Sequence, residues 1–205
     1  MAVMETRRKA QPVWEELPPE PDPVQDLLDL RDRIDTGHHR AEIIGGQLVV
    51  SPMPVFWHER VCQWLVRSLD GVCEPNDWFA DTAGEIQLPP TGDLIEPDLM
   101  ILRDSSTIPD LKSLRPIDRV LLAAEVISAS SVRADREVKP RACAMAGIPF
   151  YLLVDRFTRP VTISLHSGPG PNGYAKVDTV TAGEKLQIPA PFDLTLDTSA
   201  LPLPK

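Results

Sequence analysis

Val120-Leu121-Leu122-Ala123-Ala124-Glu125-Val126-Ile127 is the stretch on which the fold turns. Seven of these eight residues are apolar or small, the pattern of a strand covered on both faces. Two more strands flank it in sequence. Pro97-Asp98-Leu99-Met100-Ile101-Leu102 precedes it, and Phe150-Tyr151-Leu152-Leu153-Val154-Asp155 follows it. Residues 135 to 146 read as a helix, stopped by Gly147 and Pro149. A strand, a helix and a second buried strand make a right-handed crossover if the strands run parallel. Glu125 breaks the pattern. An ionised carboxylate inside a buried strand costs several kcal/mol or more unless a cation answers it.

Outward from this core, Val24 to Ile34 carries apolar residues at helical spacing, and residues 55 to 69 do so more strongly through Trp57, Val61, Trp64, Leu65 and Leu69. His58 lies beside that second stripe and reads first as a partly buried, hydrogen-bonded histidine. Glu42-Ile43-Ile44, Gly45-Gly46 and Gln47 to Ser51 read as a hairpin. His38-His39 reads as a solvated loop pair. Phe79 to Leu88 reads as one strand, and residues 103 to 118 as a polar loop. Val161 to His166 and Tyr174 to Val177 form a hairpin around the Gly168–Gly173 loop. Segments 185–188 and 192–196 then complete the sheet. The expected fold class is α/β: a mixed central β-sheet flanked by helices, with N-terminal and C-terminal hairpin extensions. Its domain spans 24–198, between a proline-rich tail at 1–23 and a short tail at 199–205.

The chain has 205 residues, enough for one domain with a sizeable core. No segment approaches a membrane span, and no apolar run follows the basic Arg7-Arg8-Lys9. Three cysteines, Cys62, Cys73 and Cys143, lack metal-ligand spacing and read as reduced thiols of a cytoplasmic protein. The formal net charge of −9 argues against a protein that coats nucleic acid. It leaves room for one that meets phosphate through a local basic patch and a bound cation.

Asp98 and Glu125 sit on neighbouring strands, and Lys139 follows on the helix among Arg133, Arg136 and Arg141. Taken singly, Asp98 reads as a turn residue and Lys139 as part of a solvated helix face. Together they suit metal-assisted attack on a phosphodiester. Two acids hold Mg²⁺ (or Mn²⁺), which keeps several of its waters. The metal activates a bound water, and the lysine offsets charge on the phosphate. The three arginines are candidate contacts to the nucleic-acid backbone.

These residues also carry a resemblance. Glu42-Ile-Ile-Gly-Gly-Gln-Leu-Val-Val-Ser-Pro52, His58, Glu96-Pro-Asp98-Leu99, Glu125-Val-Ile-Ser-Ala-Ser-Ser131, Asp135, Lys139 and Ala146-Gly-Ile-Pro-Phe-Tyr-Leu-Leu-Val-Asp155 resemble the Uma-two family of endonucleases. That family belongs to the PD-(D/E)XK, restriction-endonuclease-like superfamily. The resemblance spans about residues 25 to 196. It implies that Asp98 and Glu125 are the metal-holding acids, that Lys139 is the catalytic ammonium, and that Glu42 and His58 stand near them. The expected substrate is nucleic acid, DNA ahead of RNA, and the expected assembly is a homodimer, partly by resemblance and partly because two sites serve to cut two strands. The superfamily's lysine position, two residues after the acid, is Ile127 here. Ala41, Gly45 and Cys143 depart from the usual pattern. Pro140 predicts that the helix either begins near Lys139 or is kinked there.

Two other readings compete with a nuclease. One is a nuclease fold without catalysis, serving as a binding or assembly protein. The other is a hydrolase using Ser128, Ser130 or Ser131, which lacks the Gly-x-Ser-x-Gly elbow such an enzyme needs.

Overall fold

A computed structural model describes residues 23–34, 39–52, 56–104 and 114–203. Trp14, His38, Asp110 and nearly all of the expected N-terminal tail lie outside these residues. The chain order is helix α1 (Pro23–Ile34), strands β1 (His39–Ile44) and β2 (Gln47–Pro52), helix α2 (Phe56–Cys73), then β3 (Trp78–Asp81), β4 (Ile86–Leu88), β5 (Asp93–Ile95), β6 (Leu99–Arg103) and β7 (Val120–Val126). A π-helical turn (Ala134–Val138) leads into α3 (Lys139–Met145). Strands β8 (Phe150–Asp155), β9 (Thr162–Ser167), β10 (Lys176–Thr181), β11 (Lys185–Ile188) and β12 (Leu194–Asp197) follow.

The principal sheet has six strands in the order β10-β9-β8-β7-β6-β3. Strands β7 and β8 are parallel and pair Leu122 with Phe150 through Val126 with Val154, while β6 runs antiparallel to β7. The expected crossover therefore exists, and all residues of β7 and β8 are buried. One face of the sheet is covered by α2. Val61, Leu65 and Leu69 are fully shielded there against Leu99, Leu121, Val126, Leu152 and Val154. Each such leucine or valine contributes about 1.5–3 kcal/mol by leaving water. The opposite face meets α3 and a second sheet, ordered β2-β1-β5-β4. Ile44, Ile86, Ile95, Met100, Ala123, Cys143, Tyr151 and Leu153 form that core.

Several local expectations are corrected. Residues 79–88 make two strands in different sheets rather than one. The break begins at Asp81, whose carboxylate accepts the Ala83 N–H at 3.1 Å and ion-pairs with buried Arg115. Gly84 fits tightly against this pair: a Cβ there would lie 2.4 Å from Asp81 Oδ2 and 2.7 Å from Arg115 Nε. Strand β5, three residues long, is not among the expected elements. The β9–β10 hairpin is no extension but the edge of the principal sheet, and its second strand starts at Lys176. The last two segments, β11 and β12, form their own two-stranded ladder and do not complete that sheet. Leu201, beyond them, is buried against the α2 core. His39 opens β1 instead of lying in a loop. The Gly45-Gly46 turn forms as expected, with φ of 59° and 71°, angles that favour glycine.

The helix over 135–146 begins as a π turn, in which the Lys139 N–H bonds to the Ala134 carbonyl five residues back. This wider turn accommodates Pro140. Pro140 has no N–H for the Asp135 carbonyl, and the Tyr151 hydroxyl donates to that carbonyl instead at 2.9 Å. Lys139 keeps helical angles, φ −59° and ψ −47°, despite preceding a proline.

Candidate active site

Asp98 stands immediately before β6, and Leu99 pairs with Ala124 of β7. Its carboxylate therefore reaches the next residues of β7, and Oδ2 accepts the Val126 N–H at 2.8 Å. Its position at a strand end leaves it open to groups from both faces of the sheet. From the α2 side, His58 Nε2 meets Oδ2 at 2.9 Å. An ionised Asp98 only accepts, so the imidazole donates. From β1, Arg40 Nη1 donates to Oδ1 at 2.7 Å. Burial alone would raise this carboxyl. The His58 hydrogen bond, the Arg40 charge and the Val126 N–H outweigh it and hold Asp98 well below the usual carboxylate range.

Glu125 points toward the other layer, where α3 and β1 bring their own charges. Lys139 Nζ donates to Glu125 Oε1 at 2.8 Å and lies 3.0 Å from Glu42 Oε1 and 3.4 Å from Asp135 Oδ1. Glu42 Oε1 also accepts the Glu96 N–H at 2.9 Å, which fixes it beside the Pro97-Asp98 corner. Burial is the largest influence on Glu125, and the nearby Asp98, Asp135 and Glu42 charges add to it. Together they push Glu125 well above its ordinary value against the pull of Lys139. Asp135 is raised in the same way, with burial first and Lys139 and a Ser131 hydrogen bond opposing. Burial disfavours the Lys139 charge, but Glu125, Glu42 and Asp135 more than restore it, so the ammonium is retained.

These groups line one cleft of about 240 Å³. Four buried acids, Glu42, Asp98, Glu125 and Asp135, face two permanent cations, Lys139 and Arg40. The fully ionised set of these six carries two excess negative charges, and Arg156, which also lines the cleft, reduces that excess to one. Among the described residues Asp135 Oδ1 accepts no hydrogen bond, although it is buried. A divalent cation with oxygen preference suits that imbalance. A second group, His58, Cys62 and Asp98, places three donor atoms within 4.8 Å of one another. Its sulfur and nitrogen suit softer metals. Burial and the Asp98 charge push the Cys62 thiol far up, so it meets His58 Nδ1, 3.5 Å away, as a thiol rather than a thiolate.

The structure thus brings together Asp98, Glu125, Lys139, His58 and Glu42. It places Arg133, Arg136 and Arg141 elsewhere, since none of the three lines the cleft. Arg133 and Arg141 are exposed on the π turn and α3, and Arg136 is tied to Asp155 at 2.7 Å. The cleft's arginines are instead Arg40 and Arg156, neither of which stood out by spacing. Position 40, two residues before Glu42 on the same strand, shares its face and was the available signal. Asp135, quoted among the resembling residues but given no role, joins the acids because it lies one helical turn before Lys139.

A mixed six-stranded sheet with a parallel crossover, carrying two acids on adjacent central strands and a lysine on the crossover helix, defines a restriction-endonuclease-like nuclease fold. The chain belongs to the Uma2 family, described as "Putative restriction endonuclease", which matches residues 24–199. Among solved structures it is similar to the crystal structure of "a putative nuclease belonging to DUF820" from Anabaena variabilis ATCC 29413. The TM-score is 0.65, with 88% of this chain and 97% of that chain covered at 17% sequence identity. At that identity the likeness speaks for the fold. No curated protein matches the chain. No helix among the described residues is long and apolar enough to cross a membrane.

Proposed function

We propose that the protein is a divalent-metal-dependent endonuclease that hydrolyses phosphodiester bonds, with DNA as its substrate, in the cytoplasm. The observation that carries this reading is the excess of buried carboxylate around Lys139. A fold gains nothing from four such acids in one cleft unless a cation completes them. Asp98 and Glu125 would hold Mg²⁺ or Mn²⁺, which supplies an activated water and shields the phosphate. His58 and the Val126 N–H orient Asp98. Glu42 and Asp135 hold Lys139, whose ammonium offsets charge developing on the phosphate oxygens. Arg40 is the second cation able to meet phosphate beside Asp98, while exposed Arg133 and Arg141, with Arg136, provide outer backbone contacts.

The test is cleavage of supercoiled and linear DNA with Mg²⁺ or Mn²⁺, beside calorimetry of metal binding. Wild-type protein should cut, and Asp98→Asn should lower cleavage by about a thousandfold or more, as loss of a metal ligand does. Metal affinity should rise with pH as Glu125 and Asp135 give up protons. Equal metal affinity in the wild type and an Asp98→Asn, Glu125→Gln double variant would refute the site. We also propose a homodimer, whose two clefts serve the two strands of a duplex. Sedimentation at micromolar concentration should show twice the chain mass, and a monomer there would remove this part of the reading.

A further inference from the structure

Arg156 lines the cleft just past the end of β8 and differs from the cleft's other cations. Lys139 and Arg40 are each committed to carboxylates. Arg156 has no ion pair among the described residues, and its Nε has no hydrogen-bond acceptor although it is buried. Its guanidinium carbon lies 5.2 Å from the Trp57 ring centroid and 4.8 Å from that of Phe157. The Trp57 indole N–H beside it is also buried without an acceptor among the described residues. A buried donor left unmet is costly to the fold. Next to this corner the surface is apolar where it meets water. Phe157 is 43% exposed, and Phe56, at the start of α2 with Arg60 over its ring, is 78% exposed.

We propose that the Trp57–Arg156–Phe157 corner is a stacking subsite for an unpaired nucleotide, which makes single-stranded or locally opened nucleic acid the preferred substrate at this cleft. The proposal rests on the nuclease reading above. A nucleobase supplies what the corner lacks, a flat partner for the exposed Phe157 ring, and its phosphate supplies an anion for a guanidinium that no carboxylate of the described residues engages. Aromatic residues at such a site bind bases of any sequence, because every base has a π face. Bases closed inside a duplex do not present that face, so the nucleotide here must be unstacked. The net charge of −9 sharpens the point. The whole molecule repels a polyanion, so attraction must be concentrated at local cations such as Arg156.

The experiment measures binding apart from cleavage. Fluorescence anisotropy is recorded for labelled oligothymidylate and for a duplex of the same length, using the full chain with Glu125→Gln so that neither is cut. The single strand should bind about tenfold tighter than the duplex. Phe157→Ala should weaken single-strand binding about tenfold, the effect of removing one stacked base contact, and duplex binding much less. Phe157→Tyr should restore it. Arg156→Lys, which keeps the charge but loses the flat stack, should also weaken it. Phe157 is the diagnostic site because it lies outside both hydrophobic cores, whereas Trp57 packs against one. Equal losses on single strand and duplex, or no loss, would overturn the subsite. So would a Phe157→Ala variant that changes only the mass of the assembly, which would mark the corner as a protein contact. If the wild type cuts DNA but the Phe157 variants bind and cut unpaired substrate normally, the subsite fails and the nuclease reading stands. If single strands bind through Phe157 but nothing is cut, the reverse holds.

Discussion

Replacing Lys139 with Met should destabilise the protein by about 3–5 kcal/mol at pH 7, the cost of leaving buried charges without their partner. Methionine keeps the side chain's length and apolar stem, so the change isolates the ammonium. Three carboxylates, Glu125, Glu42 and Asp135, would then share a buried pocket without the ammonium that now meets all three. The loss should depend on pH in a fixed direction. Glu125 and Asp135, already raised, would be raised further in the variant. Lowering the pH from 7 toward 5 protonates them and removes the repulsion, so the gap in melting temperature between variant and wild type should narrow. A gap that stays constant over this range would mean that packing, not charge, holds Lys139 in place. Cleavage, read separately, should fall by about 10²–10³-fold, the range seen when one group that stabilises a developing anion is lost.

Glu125→Gln should separate activity from stability. Cleavage should fall by about a thousandfold or more, since a neutral amide is a poor ligand for a hard divalent cation. The metal-free fold should instead gain stability at neutral pH, on the order of 1 kcal/mol, which is roughly one unit of pKa shift. The sign follows from the raised Glu125 carboxyl. A folded-state value above the unfolded one, about 4.3, means the folded protein binds the proton more tightly. That contribution is complete below the unfolded value and is lost as pH rises through the folded value. The glutamine variant has no such slope, so its advantage over wild type should grow with pH. Asp98 behaves oppositely, because its lowered carboxyl stabilises the fold above its unfolded value of about 3.9 and fails only as pH falls below it. Chemical denaturation at several pH values checks both signs, and a variant that loses stability as pH rises would contradict the charge balance drawn for the cleft.

The central strands and the site acids were legible in the sequence because they violate or obey simple patterns. Glu125 stood out as one charge in a run of seven apolar or small residues. Asp98 followed from its place at the edge of the next such run. The register that joins them, Leu99 against Ala124, needed the structure, because periodicity does not align one strand with another. The second sheet was harder. Its strands β4 and β5 have three residues each, too short for alternation to show, and only Pro89-Pro90 separates β4 from the residues that lead into β5. The arginines were misplaced for a related reason. Closeness in sequence favoured Arg133, Arg136 and Arg141, but Arg133 and Arg141 are exposed outside the cleft, and Arg136, three residues before Lys139, turns to Asp155 at 2.7 Å instead. Arg40 and Arg156 arrive from strand ends distant in sequence, where only tertiary contacts reveal them.

The placement of Lys139 on the crossover, instead of two residues after Glu125 where Ile127 stands, makes the site depend on more of the fold. Asp98 and Glu125 become neighbours as soon as β6 and β7 pair. The ammonium joins them only when the π turn and α3 dock, and that docking leans on Tyr151 of β8, whose hydroxyl caps the Asp135 carbonyl that Pro140 leaves bare. Without α3 in place Glu125 lacks its ammonium, while Asp98 keeps Arg40 and His58. Strand β8 thus helps to place the cleft's lysine although it supplies none of the four acids.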